Sequence, residues 1–151
     1  VATVERGTPG RPRALVLAPT RELAEQIRTE LDTIAPARRL HTLAVYGGVG
    51  YDAQRRALRR GVDILVACPG RLADLMQQGS VRLDDVDRVV VDEADRMADM
   101  GFLPEVRRIL DRTSPERQTM LFSATLDGDV AALITDIKPA AAVIEEMVSG
   151  R

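Results

Sequence analysis

An apolar run that stops at a cluster of acidic residues constrains the fold of this chain more than any other feature. Arg88 is followed by Val89-Val90-Val91 and then by Asp92-Glu93-Ala94-Asp95. Three consecutive β-branched residues predict a strand buried on both faces, which is typical of parallel sheets in α/β proteins. The carboxylates then follow the C-terminal end of that strand, where open parallel sheets bind their ligands. The pattern predicts an α/β domain with an acidic site at one edge of its sheet.

Short apolar runs alternate with amphipathic stretches along the rest of the chain. Strands are predicted over residues 14–18, 41–46, 63–67, 88–91 and 118–122, with a last one at 142–144. A helix with Thr20 as N-cap is predicted to include the apolar positions from Leu23 to Ile34. Further helices are predicted over residues 52–60, over about 71–78, around Met97 and Met100, around Val106, Ile109 and Leu110, and near residues 129–135. Strands that alternate with helices imply right-handed crossovers and a mainly parallel sheet flanked by helices.

Length and composition fit one globular domain. The 151 residues are 45% hydrophobic and 29% charged, enough for a core of their own. We expect this domain to span residues 14–151. Residues 1–13, rich in Gly, Pro and Arg, are expected to form an arm or the remainder of an upstream helix.

Charge and cysteine content exclude several kinds of protein. The net charge of −2 gives no overall signal for nucleic acid, so such binding needs a local patch. One cysteine, Cys68, and one histidine, His41, exclude an internal disulfide and leave too few ligands for a structural zinc site. The sequence has no membrane-spanning run and no signal-peptide pattern. We expect a cytoplasmic protein that binds no membrane.

The acidic end of the predicted strand has the form of a Walker B site. In such a site one carboxylate holds Mg²⁺, usually through water, and the other orients an attacking water. The alternative is an acidic helix N-terminus, which the helix dipole favours. Of the 21 basic residues all are arginine except Lys138, and no Gly-rich loop precedes Lys138. The chain therefore contains no P-loop lysine.

Each predicted strand ends in a distinctive short loop. In a parallel sheet all five loops lie along one edge. They are Pro19–Glu22, Gly47–Gly48, Cys68–Arg71, Asp92–Asp95 and Ser123–Thr125. Arg21 and Arg71, together with backbone N–H groups at helix starts, would suit contacts to several phosphates. No aromatic residue lies within these loops, so base stacking is not expected.

These motifs resemble, in order and approximate spacing, the first RecA-like lobe of the DEAD-box ATP-dependent RNA helicases. The resemblance runs from about residue 14 to residue 130. It is carried by Pro19-Thr20-Arg21-Glu22-Leu23-Ala24, Gly47-Gly48, Pro69-Gly70-Arg71, Asp92-Glu93-Ala94-Asp95, Arg96-Met97, Asp99-Met100-Gly101-Phe102 and Ser123-Ala124-Thr125. It implies a RecA-like fold of the P-loop NTPase type.

The resemblance implies a role for each acidic and hydroxyl residue at the edge. Asp92 would bind Mg²⁺ through water, and Glu93 would act on the water that hydrolyses ATP. Asp95, Ser123 and Thr125 would link the nucleotide site to the RNA site and to the other lobe. Taken without the resemblance, Ser123 and Thr125 are strand-end hydroxyls that cap the next helix.

The resemblance also implies contacts to the sugar-phosphate backbone of single-stranded or duplex RNA, with little sequence specificity. The residues concerned would be Thr20, Arg21, Gly47, Gly48, Gly70 and Arg71. The family usually has threonine where this chain has Cys68. A thiol is a weaker hydrogen-bond donor than a hydroxyl, so one phosphate contact is weakened.

Several parts of such a helicase are not in these 151 residues. They are the P-loop, the segment that reads adenine, and the second RecA-like lobe in cis with its arginine finger. Phosphoryl transfer depends on positioning and charge stabilisation, which the P-loop lysine and the arginine finger supply. We therefore expect the chain alone to neither hydrolyse ATP nor unwind RNA, and the whole protein to bind ATP and RNA between two lobes.

Two alternatives remain open. A DNA translocase of related type would also use backbone contacts, although the Asp92–Asp95 tetrad is the form of the RNA family. A non-catalytic RNA-binding or interaction module would need no metal-holding Asp92-Glu93 pair.

Other residues are expected to be structural. The pairs Arg55-Arg56 and Arg59-Arg60 predict a solvated helix face. Met97, Met100 and Phe102 lie at near-helical spacing, which predicts core packing. His41 is expected to be structural or on the surface, and Cys68 a small strand-end residue.

Overall fold

Five short parallel strands form the centre of the computed structural model, which describes residues 4–136. They are β1 (Ala14–Leu17), β2 (Thr42–Val45), β3 (Ile64–Ala67), β4 (Arg88–Val91) and β5 (Gln118–Leu121). Their order in the sheet is β2-β3-β1-β4-β5, and every neighbouring pair is parallel. The predicted parallel sheet is therefore confirmed, with strand ends within one residue of the predicted ones. The strand predicted at 142–144 lies outside the described residues.

Six α-helices connect and flank the strands. They are α1 (Arg21–Leu31), α2 (Asp52–Arg60), α3 (Pro69–Gln77), α4 (Ala94–Asp99), α5 (Leu103–Asp111) and α6 (Gly128–Asp136), and a 3-10 helix spans Ala35–Arg38. Thr20 is the N-cap of α1 as predicted, since its Oγ1 accepts a hydrogen bond from Leu23 N at 3.2 Å. Within the described part of the chain, no helix has the length and apolar character needed to cross a membrane.

Several helix boundaries differ from the prediction, and those of α1 and α3 have a clear physical reason. α1 ends at Leu31, and Ile34 beyond it is 50% exposed. α3 begins at Pro69 and not at Arg71, because proline has a backbone angle suited to the first helical turn and needs no N–H partner there.

One face of the sheet carries the main core. Leu15, Leu17, Leu65, Val89 and Val91 alternate along three adjacent strands and are almost fully buried on this face. The helices that cover them contribute Leu58 of α2, Leu72 and Leu75 of α3, Met97 of α4, Val106 and Ile109 of α5, and Val130 and Leu133 of α6. This packing fixes the sheet that carries the strand-end loops.

The opposite face is covered by α1 over only part of its width. Ala24 of α1 packs with Ala44 of β2 and Val66 of β3 in a second cluster. Val90 and Met120 on the other side of the sheet are only partly buried, beside a groove of about 250 Å³. The prediction that β4 is buried on both faces is therefore wrong, because no described helix covers this side of β4 and β5.

The predicted core role of the methionines holds only in part. Met97 is fully buried and Phe102 packs against the main core, but Met100 is 45% exposed. The prediction for Met100 is wrong because this residue is the C-cap of α4, at the solvent-exposed end of the helix.

Residues before β1 are tied to the sheet by a buried aspartate. Asp63 accepts hydrogen bonds from Gly7 N at 2.6 Å and from His41 N at 2.7 Å. A side chain on Gly7 would come within 2.6 Å of Arg11 O and 2.8 Å of Val62 O, so this close approach requires glycine. The segment predicted as an arm thus packs against the start of β2 and β3.

Replacing Leu65 by alanine is expected to lower the free energy of unfolding by about 3 kcal/mol, through lost burial and a residual cavity. Leu65 is fully buried between its neighbours on the main core face. Urea unfolding followed by circular dichroism measures the loss. Leu126 is 66% exposed, so the matched change Leu126→Ala should cost less than about 0.5 kcal/mol. Equal losses at the two positions would contradict the assignment of the core.

Candidate functional site

The acidic loop Asp92–Asp95 is held between the strands on either side of β4. Asp92 N donates to Leu17 O of β1 at 3.0 Å, and Ala94 N donates to Phe122 O after β5 at 3.0 Å. The loop therefore lies at the carboxyl edge of the sheet, where the sequence placed it. Its backbone position is set by strands that are distant in the chain.

Glu93 has a left-handed backbone, with φ of 48° and ψ of 52°. Such a conformation costs a residue with a side chain about 1–3 kcal/mol and is typical of functional sites. Asp92 Oδ1 accepts a hydrogen bond from Glu93 N at 2.9 Å, which helps to hold this turn. The strain is thus located at the residue predicted to act on water.

The two carboxylates keep oxygen atoms free for a ligand. Glu93 Oε2 has no hydrogen-bond partner and forms only a long ion pair with Arg96 NH1 at 3.7 Å. Asp92 uses Oδ1 for the turn, and no described residue donates a hydrogen bond to its Oδ2. No group of three or more His, Cys, Asp or Glu residues between 4 and 136 is arranged to hold a metal ion. A cation here would have Asp92 as its protein ligand, with water and substrate oxygens completing the shell.

Ser123 joins the acidic loop to the loop after β5. Its Oγ accepts a hydrogen bond from Asp95 N at 3.2 Å and donates one to Thr125 O at 2.6 Å. The three residues predicted to couple the sites are thus connected in one chain of hydrogen bonds. Asp95 lies in the first turn of α4, so Ser123 supplies a hydrogen bond to the start of that helix and not to the next helix in the chain, as the capping alternative expects.

Four of the residues predicted to contact phosphates lie exposed at the same edge. Arg21, Gly47, Gly48 and Gly70 are exposed, and the hydroxyl of Thr20 caps α1 beside them. Gly48 has φ of +85°, which favours glycine. A side chain on Gly47 would meet nothing within 4 Å. The fold itself therefore does not require glycine at position 47. The absence of a side chain there leaves room for an approaching ligand.

Arg71 is buried, unlike Arg21. Its side chain donates from NH1 to Gln54 Oε1 at 3.0 Å and from NH2 to Val49 O at 2.9 Å. The guanidinium also lies 3.9 Å from the centre of the Tyr51 ring. The described structure thus uses this guanidinium inside the protein, although the residue was predicted to contact phosphate.

Two tyrosines lie beside the glycines Gly47 and Gly50 and next to the two arginines, so the expectation that no aromatic residue interleaves with Arg21 and Arg71 is wrong. Tyr46 and Tyr51 stand before and after the glycines and are brought beside Arg21 and Arg71. A hydrogen bond from Tyr46 OH to Glu25 Oε1 of 2.6 Å raises the pKa of the phenol. An arginine guanidinium lies over each ring, and the expectation that bases do not stack here stays a prediction.

Gln54 is the residue that sequence reasoning missed. It is 6% exposed, and its Nε2 donates to Tyr46 O at 3.2 Å. In the sequence it lies within an arginine-rich helix that predicts a solvated face. Its spacing of four from Leu58, the other buried residue of α2, places both on one side of the helix and could have identified it.

Burial largely determines the chemistry of Cys68. It raises the pKa of the thiol to about 11, and the nearby Glu22 carboxylate adds to the rise. The thiol therefore stays protonated at neutral pH and is a poor nucleophile.

Alkylation of Cys68 by iodoacetamide at pH 8 should be about 100-fold slower in the folded chain than in urea, because only the thiolate reacts. The chain has one cysteine, so the rate of label uptake by mass spectrometry reports this site alone. In the folded chain the rate should still rise between pH 9 and 10. A rate that levels off by pH 9 would contradict the raised pKa.

Comparison with known proteins places this arrangement among helicases. A family model described as DEAD/DEAH box helicase matches residues 1–133. Over 125 residues the chain is 51% identical to the ATP-dependent RNA helicase DBP2 of Mycosarcoma maydis, covering 83% of this chain and 23% of that protein. Over 139 residues it is 49% identical to the ATP-dependent RNA helicase RhlB of Pseudomonas putida, covering 90% of this chain and 35% of that one.

Solved structures show the same fold. A hypothetical ATP-dependent RNA helicase from Sulfolobus tokodaii superimposes with a TM-score of 0.78 at 40% identity, over 83% of this chain and 38% of that one. The yeast DEAD-box splicing factor Prp28 superimposes with a TM-score of 0.78 at 34% identity, over 82% of this chain and 30% of that one. The chain thus spans about a quarter to a third of the two curated relatives named above.

Proposed function

The chain belongs to the DEAD/DEAH box helicase family, and we propose on this basis that it is part of an ATP-dependent RNA helicase. ATP hydrolysis by the whole protein would be coupled to RNA binding and unwinding. The observation that carries the proposal is the hydrogen bond between Asp95 N and Ser123 Oγ, which joins the acidic loop to the end of the neighbouring strand. The similarity to DBP2 and RhlB, both ATP-dependent RNA helicases, supports it.

Asp92 and Glu93 would act on the nucleotide. Asp92 has one carboxylate oxygen without a described partner, which suits Mg²⁺, an ion that keeps several waters and takes one or two carboxylates. When bound, the ion neutralises charge on the ATP phosphates. Glu93 Oε2 has no hydrogen-bond partner and would accept a hydrogen bond from the hydrolytic water and orient it.

The hydrogen bonds of Ser123 would transmit the state of the nucleotide site. A shift of the acidic loop moves Asp95 N, and Ser123 Oγ must follow or lose that bond. Ser123 in turn holds the backbone at Thr125. We place the coupling to RNA and to a second RecA-like lobe in cis at these three residues.

RNA would lie across the exposed loops of the same edge. Arg21 supplies positive charge, and Thr20, Gly47, Gly48 and Gly70 supply hydroxyl or backbone donors. Contacts of this kind address the sugar-phosphate backbone and so give little sequence specificity. A cytoplasmic location is proposed, since a chain with one cysteine needs no oxidising compartment.

The 151 residues alone are proposed to lack ATPase and unwinding activity. Their only lysine is Lys138, and no Gly-rich loop precedes it. A carboxylate pair without a phosphate-binding lysine or an arginine finger lacks most of the positioning and charge stabilisation that phosphoryl transfer needs.

ATP turnover by the full-length protein should rise with single-stranded RNA and not with DNA of equal length. Glu93→Gln should lower that turnover by at least about 100-fold, because it removes the group that orients the water. A coupled assay of phosphate release measures both effects. Glu116→Gln, an exposed change in the loop before β5, is the matched control and should leave turnover unchanged.

Other results would redirect the proposal. Equal stimulation by DNA would favour a DNA translocase, and absence of turnover with retained RNA binding would favour a non-catalytic module. ATP hydrolysis by the purified 151-residue chain, abolished by Glu93→Gln, would refute its proposed inactivity.

A further inference from the structure

We propose that Arg71 and Gln54 form an internal clamp that holds the glycine loop, residues Gly47–Gly50, in the shape that binds RNA. Arg71 then acts as a positioning residue and not as a phosphate contact. The inference rests on the proposed function, because it concerns how the same edge binds RNA. It is carried by the burial and hydrogen bonds of the two side chains.

Gln54 connects the start of the loop to Arg71. Its Nε2 donates to Tyr46 O at 3.2 Å, and its Oε1 accepts from Arg71 NH1 at 3.0 Å. The side chain is 6% exposed, so both ends of the amide are satisfied within the protein. Removal of either partner would leave a buried polar group unpaired, which is costly.

Arg71 holds the loop at a second and a third point. NH2 donates to Val49 O at 2.9 Å, and the guanidinium lies 3.9 Å from the centre of the Tyr51 ring. Tyr51 is itself fixed, since its OH donates to Asp74 Oδ2 of α3 at 2.9 Å. The backbone is therefore fastened at residues 46, 49 and 51 from the protein side.

The glycines between these points face the solvent. Gly47, Gly48 and Gly50 are exposed, and their N–H groups donate no hydrogen bond to any residue of the described chain. A run of free backbone N–H groups is a suitable site for phosphate oxygens. Fixing the loop in advance lowers the entropy cost of binding, which is how the clamp would raise RNA affinity.

The same contacts argue against a phosphate role for the guanidinium. Arg71 is 9% exposed, whereas Arg21 at the start of α1 is exposed. Two of its N–H groups are bonded to Gln54 Oε1 and Val49 O and its face lies on the Tyr51 ring, so little of the guanidinium is accessible to a phosphate. A shift of Arg71 toward the solvent would loosen the loop that presents the glycine N–H groups.

RNA affinity of the full-length protein tests the clamp through Gln54→Leu and Arg71→Lys. Each change should weaken binding about tenfold, since each removes about one to two net hydrogen bonds from the loop. The affinity of the double variant should lie within about twofold of that of the weaker-binding single variant, because the two residues act as one unit. Arg56→Ala, an exposed arginine of α2, is the control and should bind like wild type.

Salt dependence separates positioning from direct contact. Loss of a phosphate contact lowers the slope of log affinity against log salt by about 0.7 on single-stranded RNA. Arg71→Ala, which removes the charge, and Gln54→Leu should leave the slope unchanged, whereas Arg21→Ala should lower it. In RNA-stimulated ATP hydrolysis, the two clamp variants should raise KM for RNA about tenfold and keep kcat within about twofold, since the nucleotide site is untouched.

The state of the loop is measured without RNA by ¹⁵N relaxation in protein labelled at glycine. Amide order parameters of Gly47, Gly48 and Gly50 should fall from about 0.85 to below about 0.6 in both variants. Gly70, outside the clamp, serves as the internal reference. Unchanged order parameters in the two variants would overturn the clamp, whatever the RNA result.

The RNA experiments overturn the inference in two ways. A lowered salt slope for Arg71→Ala, with normal binding by Gln54→Leu, would make Arg71 a direct contact. Additive losses in the double variant would mean that the residues act separately. Failure of the wild-type protein to bind RNA would refute the proposed function, and the glycine order parameters would still decide whether the clamp exists.

Discussion

The in-register parallel pairing of the strands is the constraint on which the rest of the structure depends. Leu17 of β1 is level with Ala67 of β3 and Val91 of β4, and the register continues to Val45 and Leu121 at the outer strands. All five strands therefore end at one level of the sheet. Because parallel strands point the same way, the loops that follow them meet at one edge, although they are spread over more than 100 residues of sequence.

Core packing beneath this edge supports a strained turn. Glu93 adopts a left-handed conformation, while the next residue, Ala94, is fully buried and bonded to Phe122 O. Met97, one turn further on, is fully buried in the main core. The apolar residues of α4 thus anchor the chain directly after the turn, so that burial offsets the cost of the strain. The position of the acidic groups depends on side chains that take no part in chemistry.

Two arginines illustrate how far local sequence can be interpreted. Arg21 and Arg71 each follow a strand, lie in the first turn of a helix and contact a tyrosine ring. Their surroundings differ because α2 brings Gln54 to Arg71, whereas Arg21 stays exposed. A sequence pattern specifies the element on which a charge lies. Its burial depends on an element that is distant in the chain.

The sequence by itself determined the element order, the parallel sheet and the residues at its edge. These follow from local rules: β-branched runs form strands, caps and prolines start helices, and parallel strands gather their C-terminal ends. Tertiary structure alone decided the half-covered face of β4, the exposure of Met100 and the internal contacts of Arg71 with Gln54. These features depend on which elements pack together across the sheet. Residue spacing within one segment carries no information about the residues that another segment brings into contact with it.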